Sequence, residues 1–183
     1  MWRKRITAVL SACFYKGNDD GKAAVPIKSD LCELCQTDGG AVLYRGHHYR
    51  VVRVGGHEGD SYRGFCRVIW NEHIKEMSDL VASDRQIFMD AVFRVEAALR
   101  ASLRPEKINL ASLGNITPHL HWHVIPRFTN DAAYPKPIWA VDVAPGQQID
   151  KLAESVNIRR AVAHVEWAVA VSKALKQHDR AST

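Results

Sequence analysis

The chain lacks any long hydrophobic run. None of its 183 residues falls in an apolar stretch that approaches the ~20 residues a membrane-spanning helix needs, so no membrane partner is expected. Internal repeats and low-complexity tracts are also absent. No glycine-rich phosphate loop is visible, because Gly39-Gly40 and Gly55-Gly56 are too short to form one. The remaining composition, 46% hydrophobic and 25% charged, is ordinary for a globular domain.

Strong charge of one sign is missing as well. The formal net charge is +5 and the pI is near 9.1. This mild excess favours anionic ligands such as nucleotides. The basic residues are too scattered to indicate a nucleic-acid surface.

Cysteine is scarce, with four residues: Cys13, Cys32, Cys35 and Cys66. The pair in Cys32-Glu33-Leu34-Cys35 has a spacing that suits a metal or redox role in a reducing compartment. A thioredoxin-like context, with an apolar strand before the pair and a helix after it, is not visible. Zinc takes four ligands, so this pair alone would be an incomplete site.

The N-terminal segment, residues 1–30, shows no clear periodicity. Its basic start followed by apolar residues 6–13 resembles a short signal peptide, and residues 10–13 resemble a lipoprotein cleavage box. The apolar part is at the lower limit of the ~7–15 residues of a signal core. Export is the alternative; the interpretation we adopt is an N-terminal extension of a cytoplasmic protein.

Three histidines alternate in the segment His119-Leu120-His121-Trp122-His123. In an extended strand, alternate side chains share one face, so the three imidazoles would lie together. Imidazole suits nucleophilic, acid–base or metal-ligand chemistry near neutral pH, and burying three without a function would be costly. The pattern alone leaves a metal site and a nucleophilic site equally open, with surface histidines as a third interpretation.

The sequence around these histidines, KINLASLGN at 107–115 and PHLHWHVIPR at 118–127, resembles the histidine-triad (HIT) superfamily. The resemblance extends over residues 31–139 and looks closest to bacterial proteins of the diadenosine-polyphosphate-hydrolase-like type. It implies a nucleotide hydrolase or transferase, usually a homodimer, acting on a mononucleotide derivative or a dinucleoside polyphosphate. His121 would attack the α-phosphate to give a covalent nucleotidyl-histidine, with His119 and His123 as its catalytic neighbours.

The same resemblance assigns further residues. Asn109 and Asn115 would orient ribose or phosphate, although both could simply be turn residues. Several bacterial HIT proteins hold a structural zinc ion, and the matching ligands in this chain are Cys32, Cys35, His73 and His119. Without zinc, His73 would instead join the triad as a hydrogen-bonding fourth member.

Two other function classes remain open. One is a nucleotide-binding sensor or interaction module with little turnover. The other is a zinc hydrolase with the triad on the metal, which is disfavoured because no nearby carboxylate is evident as a base.

The predicted fold class is α+β: a HIT-like antiparallel sheet with a long helix packed on it, plus a C-terminal helical extension. The domain boundaries predicted are 1–30 for the N-terminal extension, 31–140 for the HIT domain and 141–183 for the helical extension. The long helix is predicted to begin at Ser83, with Gln86 as its capping-box partner. The C-terminal helix is predicted to present an apolar face formed by Ile158, Val162, Val165, Val169 and Leu175, widened by Trp167 and Val171.

Overall fold

The computed structural model describes residues 28–140 and 159–179. The signal-like segment and Cys13 lie outside the described residues, as does the 141–158 part of the predicted C-terminal extension. Among the described residues, no helix combines the length and apolarity needed to cross a membrane. The domain boundaries proposed from the sequence stay predictions.

Five strands and four helices make up the described part of the chain. The strands are β1 (Ala41–Arg45), β2 (Tyr49–Arg53), β3 (Cys66–Trp70), β4 (Lys107–Ala111) and β5 (His121–Arg127). The helices are α1 (Glu33–Gln36), α2 (Gly56–Ser61), α3 (Ala82–Leu103) and α4 (Arg159–Asp179), with a 3-10 turn at Met77–Asp79. The predicted α+β class is confirmed.

All the strands pair antiparallel in the order β1-β2-β3-β5-β4. The β-branched and aromatic residues of these segments favour the extended conformation. Residues opposite each other in a ladder share a face. Val51, Val68 and Trp122 are aligned on one face, whereas Val52, Arg67 and His123 are aligned on the other. We call the second surface the triad face.

The two long helices cover the opposite face of the sheet. Helix α3 buries Phe88, Ala91, Val92, Val95, Leu99 and Leu103, the spacing expected of one helical face. Helix α4 adds Trp167, Val171 and Leu175 to the same core. Val169 is 60% exposed, so its predicted place on the apolar face is wrong. It is two residues from both Trp167 and Val171, which puts it on a different side of the helix.

Two local predictions also need correction. Helix α3 begins at Ala82 after an extended Val81, with no side-chain cap, so the capping box at Ser83 is wrong. Strand β5 begins at His121, two residues later than expected. The amide of Leu120 donates to the carbonyl of Ile74 at 2.6 Å, which ties this segment to the loop after β3. His119 therefore precedes the strand that carries the other two histidines.

Candidate functional site: a histidine pair beside a cysteine–histidine cluster

His121 and His123 lie side by side on the triad face, and both are buried. Nδ1 of His121 is 2.6 Å from the backbone carbonyl of His119, which can only accept, so this nitrogen carries the proton. Nε2 of neutral His121 is then an unprotonated lone pair. It lies 3.0 Å from Nε2 of His123, which must be the donor between them. The arrangement presents an attacking nitrogen next to an N–H group.

Both imidazoles are held in the neutral form. Burial lowers the pKa of His121 below its ordinary value, against the opposing effect of its hydrogen bond to the His119 carbonyl. Burial, followed by the nearby His121 and Arg67, lowers the pKa of His123 to about 3. A neutral imidazole keeps the lone pair that nucleophilic attack requires.

His119 lies within a second group of side chains, which we call the cysteine–histidine cluster: Cys32, Cys35, His73 and His119. Their four ligand atoms lie within 4.8 Å of one another. Nδ1 of His119 is 3.4 Å from Sγ of Cys32 and 3.5 Å from Sγ of Cys35. Nδ1 of His73 is 3.4 Å from Sγ of Cys35. The cluster could hold a metal ion.

The geometry fits a tetrahedral ion with two sulfur and two nitrogen ligands. Ordinary zinc bond lengths place such sulfur and nitrogen atoms about 3.6 Å apart, close to the distances observed. Nε2 of His119 donates to the carbonyl of Trp70 at 2.8 Å, so its Nδ1 lone pair faces the thiols. Burial also lowers the pKa of His119 to about 4, which keeps this nitrogen free of a proton. A carbonyl holding the far nitrogen of a histidine is typical of metal ligands.

Arg50 fixes the loop that carries the cysteines, a role that was not predicted from the sequence. Its buried guanidinium donates to the carbonyl of Leu34 at 2.5 Å, of Asp38 at 3.1 Å and of Thr37 at 3.3 Å. These bonds hold residues 34–38 against β2. The sequence gives no distinctive signal for this role, because Arg50 and Arg53 both flank the apolar pair Val51-Val52 as ordinary strand charges would.

The two predicted asparagines differ in placement. Asn109 is opposite Ile125 on the triad face, and its Oδ1 accepts from Nη1 of Arg127 at 2.8 Å. Arg127 is itself buried and bonded to Asp131 at 2.9 Å. This arrangement leaves the amide Nδ2 of Asn109 as a donor. Asn115 is exposed in the loop between β4 and β5, and within the described residues it makes no hydrogen bond.

Aromatic and charged residues surround His123. The ring of Trp139 is 5.0 Å from that of His123, and the ring of Phe65 is 5.6 Å from it. The indole of Trp139 donates to Glu58 at 3.2 Å. Trp139 therefore lies beside the triad of its own chain.

Comparison with known proteins agrees with this architecture. The HIT domain family model matches residues 56–130, which include the triad but not the two cysteines of the cluster. Proteins with this domain are generally nucleotide hydrolases or transferases. No curated protein matches the chain significantly.

Solved structures of histidine triad proteins resemble this fold. One from Bradyrhizobium japonicum is 25% identical, with a TM-score of 0.60, covering 81% of this chain and 98% of that one. One from Marinobacter aquaeolei is 19% identical, with a TM-score of 0.59, covering 81% and 96%. A zinc-bound histidine triad family protein from Mycobacterium smegmatis is 19% identical, with a TM-score of 0.52, covering 82% and 97%.

Proposed function

We propose that the protein is a HIT-type nucleotide hydrolase or transferase that attacks the α-phosphate of a mononucleotide derivative or dinucleoside polyphosphate. The observation that carries the proposal is the bond from Nδ1 of His121 to the carbonyl of His119. It leaves Nε2 unprotonated, beside the N–H of His123. The predicted diadenosine-polyphosphate preference, homodimer and cytoplasmic location stay predictions.

In the first step, the Nε2 lone pair of His121 forms a bond to the α-phosphorus. The bond from phosphorus to the leaving group breaks, and its electron pair departs with the leaving atom. The Nε2–H group of His123 is placed to donate a hydrogen bond to a phosphoryl oxygen or to the leaving atom, which stabilises the negative charge that builds there. The product is a covalent nucleotidyl-histidine, which divides one difficult displacement into two easier ones.

In the second step, a water oxygen or another acceptor attacks phosphorus and the phosphorus–nitrogen bond breaks. The electron pair returns to Nε2 of His121, and the acceptor's proton is released to the departed leaving group or to solvent. His123 keeps its own proton throughout, so the starting state is restored. The free Nδ2 donor of Asn109 would orient the ribose or a phosphate oxygen. Asn115 keeps the same proposed role with weaker support, because no hydrogen bond among the described residues fixes its side chain.

We also propose that the cysteine–histidine cluster binds one structural zinc ion. Two thiolates and two imidazoles form a closed tetrahedral set with no open position for substrate. The support is the sulfur–nitrogen spacing and the Trp70 carbonyl bond to His119. The zinc-bound relative from Mycobacterium smegmatis adds to it. Bound there, zinc would stabilise the loop and the segment before β5.

The central test is His121→Asn. We expect turnover of an adenylated substrate to fall at least ~10⁴-fold, since the covalent route is removed. The natural substrate need not be known beforehand if adenosine phosphoramidate and diadenosine polyphosphate are both assayed. Intact-mass analysis of the quenched wild-type reaction should show a nucleotidyl adduct that the variant lacks.

The matched control is His47→Asn, an exposed histidine in the turn between β1 and β2. It should keep wild-type turnover and zinc content. Undiminished activity in His121→Asn would contradict the proposal. Tight nucleotide binding by the wild type without turnover of any adenylated substrate would favour the sensor alternative instead.

A further inference from the structure

Arg67 lies directly opposite His123 in the ladder between β3 and β5. Opposite residues in an antiparallel pair share a face, with Cβ atoms about 4.5–5.5 Å apart. The arginine is therefore on the triad face, next to His121 and His123. By contrast, the residue opposite His121 is the apolar Ile69. The residue paired with His123 is thus a cation, whereas the residue paired with the proposed nucleophile is apolar. Arg50, the next residue in that row, is already bonded to the carbonyls of residues 34, 37 and 38.

The guanidinium of Arg67 is incompletely paired. Its Nη2 is 3.6 Å from Oε2 of Glu58, too far for a hydrogen bond. Its Nε is buried and has no hydrogen-bond partner among the described residues. Arg127, on the same face, donates to Asp131 and Asn109 at 2.9 and 2.8 Å, and among the described residues only its Nη2 lacks a partner. A buried donor without a partner is costly, which favours a ligand that supplies one.

A purely structural role accounts poorly for Arg67. The Glu58 side chain is 41% exposed, and an ion pair of this kind contributes little to stability. The other carboxylate oxygen of Glu58 already accepts from the Trp139 indole. Guanidinium binds phosphate oxygens through two parallel hydrogen bonds, a geometry that Arg67 has free to offer.

We infer that Arg67 binds the phosphate that follows the α-phosphate, and so selects substrates whose leaving group is itself a phosphate. The inference rests on the proposed function, in which the α-phosphorus lies at Nε2 of His121. The backbone of Arg67 is in register with His123, two residues beyond His121 along β5. Its guanidinium extends toward Glu58, which also binds the Trp139 indole that packs on His123. Its guanidinium is therefore placed for the next phosphate of the chain rather than for the one attacked. A phosphoramidate, which has no second phosphate, would make no such contact.

Measurements of nucleotide affinity test the role of Arg67 without requiring turnover. We expect calorimetric titration of the wild type to show ADP binding about 10- to 100-fold more tightly than AMP, the range for a charge-assisted contact. Arg67→Gln should remove most of that difference and leave AMP affinity within about 3-fold. Arg67→Lys keeps the charge but not the paired donors, so its ratio of ADP affinity to AMP affinity should lie between those of the wild type and Arg67→Gln. Arg100→Gln makes the same charge change on an exposed position of α3 and should behave as wild type.

Kinetics tests it a second way. Arg67→Gln should lower kcat/KM for a diadenosine polyphosphate about 10- to 100-fold and that for adenosine phosphoramidate less than about 3-fold. The inference would be overturned if Arg67→Gln lowered kcat/KM equally for both substrates, or lowered the affinities for ADP and AMP equally. A variant with unchanged kcat/KM and unchanged affinities would also overturn it. If the wild type turns over neither substrate, the proposed function fails, whereas the ADP-to-AMP ratio still decides the role of Arg67.

Discussion

The first histidine of the triad and the other two belong to different environments, although they alternate in one short segment. His119 precedes β5, and its ring faces the two thiols of the cysteine–histidine cluster. His121 and His123 lie within β5, and their rings face each other. One segment thus supplies a candidate metal ligand at one end and a reactive pair at the other. Similar residues in a simple pattern need not be chemically equivalent.

The two environments meet at the backbone of His119. Its ring is held between the cluster and the Trp70 carbonyl, while its own carbonyl accepts the proton of His121 Nδ1. Fixing the position of His119 therefore helps to fix which nitrogen of His121 can attack. We expect the cluster to influence turnover only indirectly, through this one hydrogen bond. Variants of the cluster and variants of His121 or His123 should therefore have different effects.

The largest effect is expected from Cys32→Ala. The variant should retain no stoichiometric zinc, and its free energy of unfolding should fall by about 4 kcal/mol or more, the stabilisation given by a ligand at ~1,000 times its Kd. Turnover should fall only about 10- to 100-fold, because the histidine pair is still present. Elemental analysis, urea denaturation and steady-state assays measure the three quantities.

Cys66→Ala is the matched control, since Cys66 is fully buried in β3 and is not in the cluster. The Cys66→Ala variant should have the same zinc content as the wild type. A Cys32→Ala protein that is as stable as Cys66→Ala would show that the cluster does not bind a stabilising ion.

The second prediction compares His123→Asn with His73→Asn. Removing His123 should lower kcat about 10²- to 10³-fold, the usual cost of losing one hydrogen-bond donor to the transition state, without changing zinc content. Removing His73 should weaken zinc binding and lower kcat much less. Zinc titrations and steady-state kinetics on both variants should therefore show that His123→Asn loses mainly kcat, whereas His73→Asn loses mainly zinc affinity. Variants that each lose both properties equally would remove the distinction between the two environments.

The sequence predicted the α+β fold because alternation in the strands and the stripe on α3 are strong periodic signals. It also predicted the four residues of the cysteine–histidine cluster, which the fold brings together. That prediction depended on a resemblance, since residues 32 and 119 are far apart in the chain. No local pattern reports such a contact.

What the sequence missed depends on tertiary contacts. In the sequence, Arg50 and Arg67 look like ordinary charged residues of exposed strand faces. In the structure, neighbouring segments bury Arg50 and partly cover Arg67. The late start of β5 has the same kind of cause, a hydrogen bond from Leu120 to the carbonyl of Ile74. Alternation predicts which face a side chain occupies, but not what packs against that face.

The third prediction concerns Arg50, which holds the loop of the cysteines without touching the histidine pair. Arg50→Lys keeps the charge but cannot donate to all three carbonyls in the same geometry. We expect zinc affinity to fall about 10- to 100-fold, as for other groups that orient metal ligands, with kcat of the zinc-loaded protein nearly unchanged. Competition with a chromogenic chelator measures the affinity. Arg45→Lys, in an exposed ion pair with Asp38, is the control and should bind zinc normally.

The smallest effect expected is the part of the pH dependence of stability that His123 contributes. His123 has a folded-state pKa of about 3 against an ordinary value of 6.5. Below pH 6.5 the unfolded chain binds a proton at His123, whereas the folded protein does not bind one until the pH approaches 3. The free energy of unfolding should therefore decline as the pH falls toward 3. One such proton corresponds to about 1.4 kcal/mol per pH unit. His123→Asn should therefore lose stability less steeply, by about 1 kcal/mol per pH unit, when urea unfolding of the zinc-loaded proteins is compared between pH 6 and pH 5. Parallel curves for the two proteins would mean that His123 titrates normally and that its burial does not disfavour its charged form.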